Sequence, residues 1–293
     1  MTLPVAPGPD PSQTTAASYL GQGARIGVFD SGLGGLSVLR AIRQHLPQAW
    51  LGYVADSAYA PYGEQDEGYI AARCDVISRF LLAQGVDTIV VACNTATAAA
   101  VHILRAQYPH LPIIGVEPGV KPAVALSVNK RVGVLATPGT LSSDKFKHLI
   151  TTHGQQALIV TQGCPGLAKE IEQGQLDTPR LRALVDGFCQ NLKLADVDTA
   201  VLGCTHYPFV APLFQSALGA GVIIVDTSDA VARHTADSCR IRHARLVHHA
   251  QATSAAALSG PVSTQLWTSG DPEHLTDVAR NWLALDAHAG LLT

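Results

Sequence analysis

The sequence predicts an α/β protein of two similar lobes, each a mainly parallel sheet flanked by helices, with a site between them. Three observations lead there. Short β-branched runs alternate with helix-like segments along the chain, the pattern of parallel strands joined by crossover helices. The runs carry little polar alternation, as strands buried on both faces do. One segment also recurs: DTIVVACNT (87–95) aligns with DTAVLGCTH (198–206), setting Asp87 on Asp198 and Cys93 on Cys204.

Taken in order, the first 24 residues contain no Lys or Arg and no apolar stretch, and read as a flexible extension rather than a secretory signal. Strand-like runs follow at IGVF (26–29), WLGYV (50–54), TIVVA (88–92), PIIGV (112–116), VGVLA (132–136), ALIV (157–160), TAVLG (199–203) and VIIVD (222–226). After the first run, Leu36, Leu39, Ile42 and Leu46 recur at helical spacing until Pro47 ends the helix. The GLGG stretch (32–35) therefore lies in a strand-to-helix loop. A weaker echo pairs IGVFDSG (26–32) with VGVLATPG (132–139), and both repeats are offset by a little over one hundred residues. Such a repeat implies two lobes related by a pseudo-twofold axis, 25–118 with 228–293 and 119–227, and a length of 293 residues suits two domains.

Composition narrows the partners. Hydrophobic residues make up 47% of the chain and charged ones 15%, and the net charge of −3 is spread without a Lys/Arg run. Nucleic acid and anionic membrane are thus poor partners, and a small molecule is the expected one. No segment holds the roughly 18 continuous apolar residues of a membrane span. Six cysteines lie scattered without a CxxC pair, which suits reduced thiols in a cytoplasm.

Ligands of parallel sheets bind beyond the carboxyl ends of the strands, where Cys93 and Cys204 both fall. A thiol at a helix start gains from the partial positive charge there, which favours thiolate, so both sulfurs are expected to be accessible and activated. Lone cysteines are ordinarily small core residues. Cys74, Cys189 and Cys239, in helical stretches, read that way, and Cys164 lies nearer the cleft. With the lobes face to face, one thiolate would remove the α-proton of a bound amino acid and the opposite thiol would return one, inverting the centre. Such chemistry requires no hydride acceptor or electron sink, so no cofactor and no metal is expected. The surrounding loops offer hydroxyls, amides and backbone N–H donors for a carboxylate and no arginine.

FDSGLGGLSV (29–38), PYG (61–63), ACNTAT (92–97), LATPGT (135–140) and LGCTHYP (202–208) stand in the order found in glutamate racemases, and the chain resembles that family from about residue 25 to 230. The resemblance implies that Cys93 takes the proton from the D-enantiomer and Cys204 from the L-enantiomer, with Asp30 and His206 assisting. A further acidic helper follows a CP stretch, which in CPGLAKEIE (164–172) points to Glu172, with Glu170 as competitor. Asp30, Ser31, Tyr62, Gly63, Asn94, Thr95, Thr137, Thr140 and Thr205 match substrate-binding positions. The implied product is D-glutamate for cell-wall peptidoglycan, and the implied assembly a homodimer. The N-terminal extension and the C-terminal tail lie outside the resemblance.

A dinucleotide fingerprint fails because Ser37 occupies its third glycine position and Asp30 would face the pyrophosphate. Neither His248 with His249 nor Cys204 with His206 has zinc-ligand spacing. A redox pair would have to reach bonding distance. An aspartate racemase would share the two-thiol logic, with His206, Tyr207 and Pro208 favouring glutamate. A non-catalytic, two-lobed amino-acid binding protein would need no paired thiols.

Overall fold

Ten strands form two sheets among the residues that the computed structural model describes, 23–250 and 263–293. The extension read from residues 1–24 falls almost wholly outside that range. The first lobe alternates β1 (Arg25–Asp30), α1 (Leu36–His45), β2 (Trp50–Ala55), α2 (Glu67–Ala83), β3 (Thr88–Val91), α3 (Asn94–Gln107) and β4 (Ile113–Gly115). The second runs through α4 (Val120–Leu126), β5 (Arg131–Ala136), α5 (Pro138–Ser142), α6 (Asp144–His153) and β6 (Leu158–Gly163). It continues with α7 (Leu167–Ile171), α8 (Pro179–Leu194), β7 (Thr199–Gly203), α9 (Ala211–Leu218) and β8 (Ile223–Val225). The chain then returns to the first lobe: α10 (Ser228–Ala250) packs along α1, and β9 (Thr264–Thr268), α11 (Pro272–Leu283) and β10 (Ala289–Leu291) complete it. Among the described residues no helix is long and apolar enough to cross a membrane.

Strand order is β10-β9-β2-β1-β3-β4 in one sheet and β6-β5-β7-β8 in the other, with every pairing parallel. The run β2-β1-β3-β4 thus recurs strand for strand as β6-β5-β7-β8. Register recurs too, since Ile26 pairs with Thr88 as Val132 pairs with Thr199. The aspartates that open both repeats do the same work: Asp87 N–H donates to the Arg25 carbonyl at 2.8 Å, and Asp198 N–H to the Arg131 carbonyl at 3.1 Å. Both are followed by a threonine whose hydroxyl donates to the aspartate, at 3.1 Å for Thr88 and 3.0 Å for Thr199. The sequence repeat therefore reports a repeated local fold and not merely two apolar strands.

Leu36, Leu39, Ile42 and Leu46 are buried along one face of α1, as their spacing predicts. Burial of each such side chain contributes about 1.5–3 kcal/mol. The last two strands escape a reading based on apolar runs. TQLWT (264–268) fully buries only Leu266 and Thr268, and AGL (289–291) is a three-residue edge strand, so neither resembles a strand covered on both faces.

Candidate active site

Cys93 follows β3 and Cys204 follows β7, matching interior strands of the two sheets, and both open on one cavity of about 250 Å³. That volume lies just below the roughly 300–1,000 Å³ of common ligand pockets and suits an amino acid.

On the first side, Cys93 caps the start of α3. Its sulfur accepts the Ala96 N–H at 3.4 Å and lies 3.6 Å from the Ser31 hydroxyl. The helix start favours thiolate, yet burial outweighs it and the Asp30 charge adds to burial, so the thiol is pushed well above its ordinary value. Cys93 opens on the cavity although only 6% of it is exposed, and the activated thiol read from the sequence is corrected to one raised by burial and in need of a base. Asp30 is fully buried, and burial raises its carboxyl to about 6 against the opposing pull of His206. One oxygen accepts the Gly35 N–H at 2.7 Å, while the other is buried without a partner among the described residues, a costly state that favours taking up a proton.

The second side is built differently. No α-helix starts at Cys204: the chain makes a tight turn and a 3-10 helix over Tyr207–Val210, and α9 begins only at Ala211. A side chain flanks the sulfur instead of a helix end. His206 Nδ1 lies 3.5 Å from Cys204 Sγ, and its Nε2 pairs with Glu172 Oε1. Glu172 also accepts the Leu33 N–H from the opposite lobe at 2.6 Å. Burial works against an imidazolium, but the Cys204 sulfur and the Glu172 carboxylate outweigh it, and His206 titrates well above its ordinary value. Glu170 is instead paired with Arg180 at 2.9 Å, so of the two glutamates Glu172 faces the cavity.

The glycine-rich loop serves this pair. A Cβ on Gly32 would run into the Glu172 carboxylate, one on Gly34 into the His206 ring, and one on Gly35 into the Asp30 side chain. These glycines let the loop approach the ionisable groups of the site closely.

Ser31, Tyr62, Gly63, Asn94, Thr95, Thr137 and Thr205 line the cavity. Asn94 Nδ2 is buried without a partner among the described residues, which leaves it to donate to a ligand. The hydroxyls of Thr95, Thr137 and Thr140 form a triangle with edges of 3.0–3.3 Å that ties α3 to α5. The Ser37 hydroxyl, 2.9 Å from the Thr205 carbonyl, makes a second tie. Asp30 and Thr140 stand behind the wall rather than in it. Tyr62 commits its hydroxyl to Asp56, which Arg73 grips with two bonds of 2.8 and 2.9 Å. Ser57, Ala168, Lys169 and Gln173 also line the cavity and were not among the residues singled out from the sequence. The signal for three of them was helical spacing, since Ala168 with Glu172 and Lys169 with Gln173 are pairs four apart. The remaining cysteines, Cys74, Cys164, Cys189 and Cys239, are buried and do not line the cavity, and their thiols are raised by burial, with Cys164 close enough to Cys204 to feel its charge.

Comparison with known proteins places this geometry. The family model described as Asp/Glu/Hydantoin racemase matches residues 32–235. A glutamate racemase of Methylococcus capsulatus is 52% identical over 209 residues, 71% of this chain and 77% of that one. That of Ectopseudomonas mendocina is 48% identical over 255 residues, 87% of this chain and 93% of its own. Among solved structures, Escherichia coli glutamate racemase in complex with L-glutamate and activator UDP-MurNAc-ala superposes with a TM-score of 0.74 at 28% identity, covering 91% of this chain and 97% of that one. Glutamate racemase isoform RacE1 from Bacillus anthracis gives 0.76 at 27% identity, covering 92% and 97%. Matched by the family model over more than half its length and by relatives near half identity, the chain belongs to the Asp/Glu/Hydantoin racemase family.

Proposed function

We propose that this protein interconverts L- and D-glutamate by moving the α-proton between Cys93 and Cys204. The observation that carries the reading is two thiols from matching strand ends on one small cavity, each with its own proton-handling neighbour. Glutamate as substrate is supported by the relatives named glutamate racemases and by the related structure with L-glutamate bound.

Starting from D-glutamate, Asp30 draws off the proton that burial holds on Cys93, and the freed thiolate takes the α-proton. Charge spreads from the α-carbon into the substrate carboxylate. There the Asn94 amide, the threonine hydroxyls and backbone N–H groups receive it in a site already organised for it. Cys204 returns a proton to the opposite face and recovers one from His206, whose protonated form Glu172 sustains. From L-glutamate the same steps run in reverse. The setting we propose is a cytoplasmic homodimer supplying D-glutamate for peptidoglycan.

Circular dichroism of purified protein with each enantiomer of glutamate and aspartate tests the reading. Glutamate should invert faster than aspartate by roughly 10- to 200-fold in kcat/KM, the discrimination that one methylene commands. Faster inversion of aspartate would transfer the activity to that substrate, and binding without inversion would leave only a binding protein. A pH dependence follows as well. Asp30 is a carboxylate above about 6 and neutral below it, so the D-to-L rate should fall about tenfold per pH unit below that point. Asp30→Asn should lose this limb along with most of the rate. An acidic limb that persists in the variant would remove Asp30 from the role of base.

A further inference from the structure

We propose that one face of α11, formed by His274, Val278 and Trp282, positions the Glu172–His206 pair that serves Cys204. This rests on the two-thiol reading above. His274 itself stays outside the cavity, so it acts through the residues it holds.

Helix α7 has five residues, ends at Ile171 and has Glu172 as its C-cap. So short a helix does not sustain its own conformation, and its terminal carbonyls have no partner within the helix. His274 supplies one: its Nε2–H donates to the Glu172 carbonyl at 2.8 Å. Two residues on, Gly174 adopts a left-handed φ of +85° that turns the chain across α11. A Cβ there would sit 3.4 Å from Val278 and 3.5 Å from His274. The Gly174 carbonyl accepts the Trp282 Nε1–H at 3.3 Å. Positions 274, 278 and 282 are four apart and share one helix face.

The same helix holds the other half of the pair. The Trp282 ring lies 4.3 Å from that of Phe209 between centroids, inclined by 38°. The Phe209 N–H donates to the His206 carbonyl at 3.2 Å. Trp282 packs against the apolar cores of both lobes, while Leu275, Val278 and Ala279 bury α11 in the first. Glu172 and His206 both come from the second lobe, yet their backbones are set by a helix of the first. A side-chain pair that must pass a proton to one sulfur is sensitive to small displacements, where about 1 Å costs on the order of a hundredfold.

The experiment compares His274→Ala with His274→Gln, which keeps an N–H donor, using α-deuterated substrate in both directions. In His274→Ala we expect kcat to fall roughly ten- to a hundredfold with little change in KM. The deuterium effect should rise in the direction where Cys204 removes the α-hydrogen and fall in the other, because only the Cys204 transfer has slowed. His274→Gln should restore both rate and balance. A loss that leaves the two isotope effects unchanged, or a Gln variant no better than Ala, overturns the proposal. Should His274→Ala not fold, Trp282→Phe, which removes the donor to Gly174 and keeps an aromatic ring on Phe209, takes its place with the same criterion. Absence of inversion in the unaltered protein would instead refute the racemase reading itself.

Discussion

Replacing either Cys93 or Cys204 by serine is expected to abolish inversion, with kcat falling at least about a thousandfold in both directions. Each turnover uses both sulfurs, one to take a proton and one to return it. A serine hydroxyl in the same burial, held by the same Ala96 N–H or beside the same His206 ring, ionises too weakly to do either. The two losses differ in one informative respect. Cys204→Ser retains the thiol that attacks D-glutamate, so it should still exchange the α-hydrogen of that enantiomer with solvent while inverting neither. Cys93→Ser should exchange L-glutamate only. Mass spectrometry of substrate recovered from deuterated water reads both, and an active single variant would reject a two-base site.

His206→Asn is expected to produce the next largest effect, a fall of roughly 10²- to 10⁴-fold in proton transfer at Cys204, while at Cys93 the loss of the imidazolium only moves the Asp30 limb to higher pH. His206 contacts the Cys204 sulfur and is held by Glu172, so its loss removes the local proton reserve and leaves Asp30 and Cys93 in place. Exchange of D-glutamate should therefore survive in this variant while inversion does not. Glu172→Gln tests the same relay by charge. The carboxylate is one of the groups that raise the His206 pKa, so its neutral replacement should move the basic limb of the pH profile downward. A basic limb that stays in place would separate His206 from Glu172 in function.

The parts of this site that the sequence revealed are those that depend on short chain segments. Strands buried on both faces write themselves as apolar runs, and the Asp87 and Asp198 repeats are enough to set Cys93 and Cys204 at equivalent strand ends. What it concealed depends on contacts between distant segments. The two sulfurs look alike in sequence, yet Cys93 caps a helix and accepts the Ala96 N–H, whereas Cys204 precedes a 3-10 turn and has His206 Nδ1 at 3.5 Å. Glu172 and Glu170 are separated only by which way a five-residue helix turns, and that is settled by Arg180 on one side and by His206 and Leu33 on the other. The Tyr62 hydroxyl looked available until Asp56 and Arg73 were brought beside it. The last two strands were hidden for different reasons, β10 because it is a three-residue edge strand and β9 because it buries only Leu266 and Thr268 although it is paired on both sides, and with them went the helix between them that contacts the Glu172 turn.

The most direct measurement is the fate of the α-hydrogen when one enantiomer of glutamate is turned over in deuterated water and sampled early. With one sulfur removing a proton and a different one delivering its replacement, the first molecules of the opposite enantiomer should carry deuterium at the α-carbon, while recovered substrate remains protiated. Deuterium entering substrate as fast as product, or product formed without it, would contradict transfer between Cys93 and Cys204.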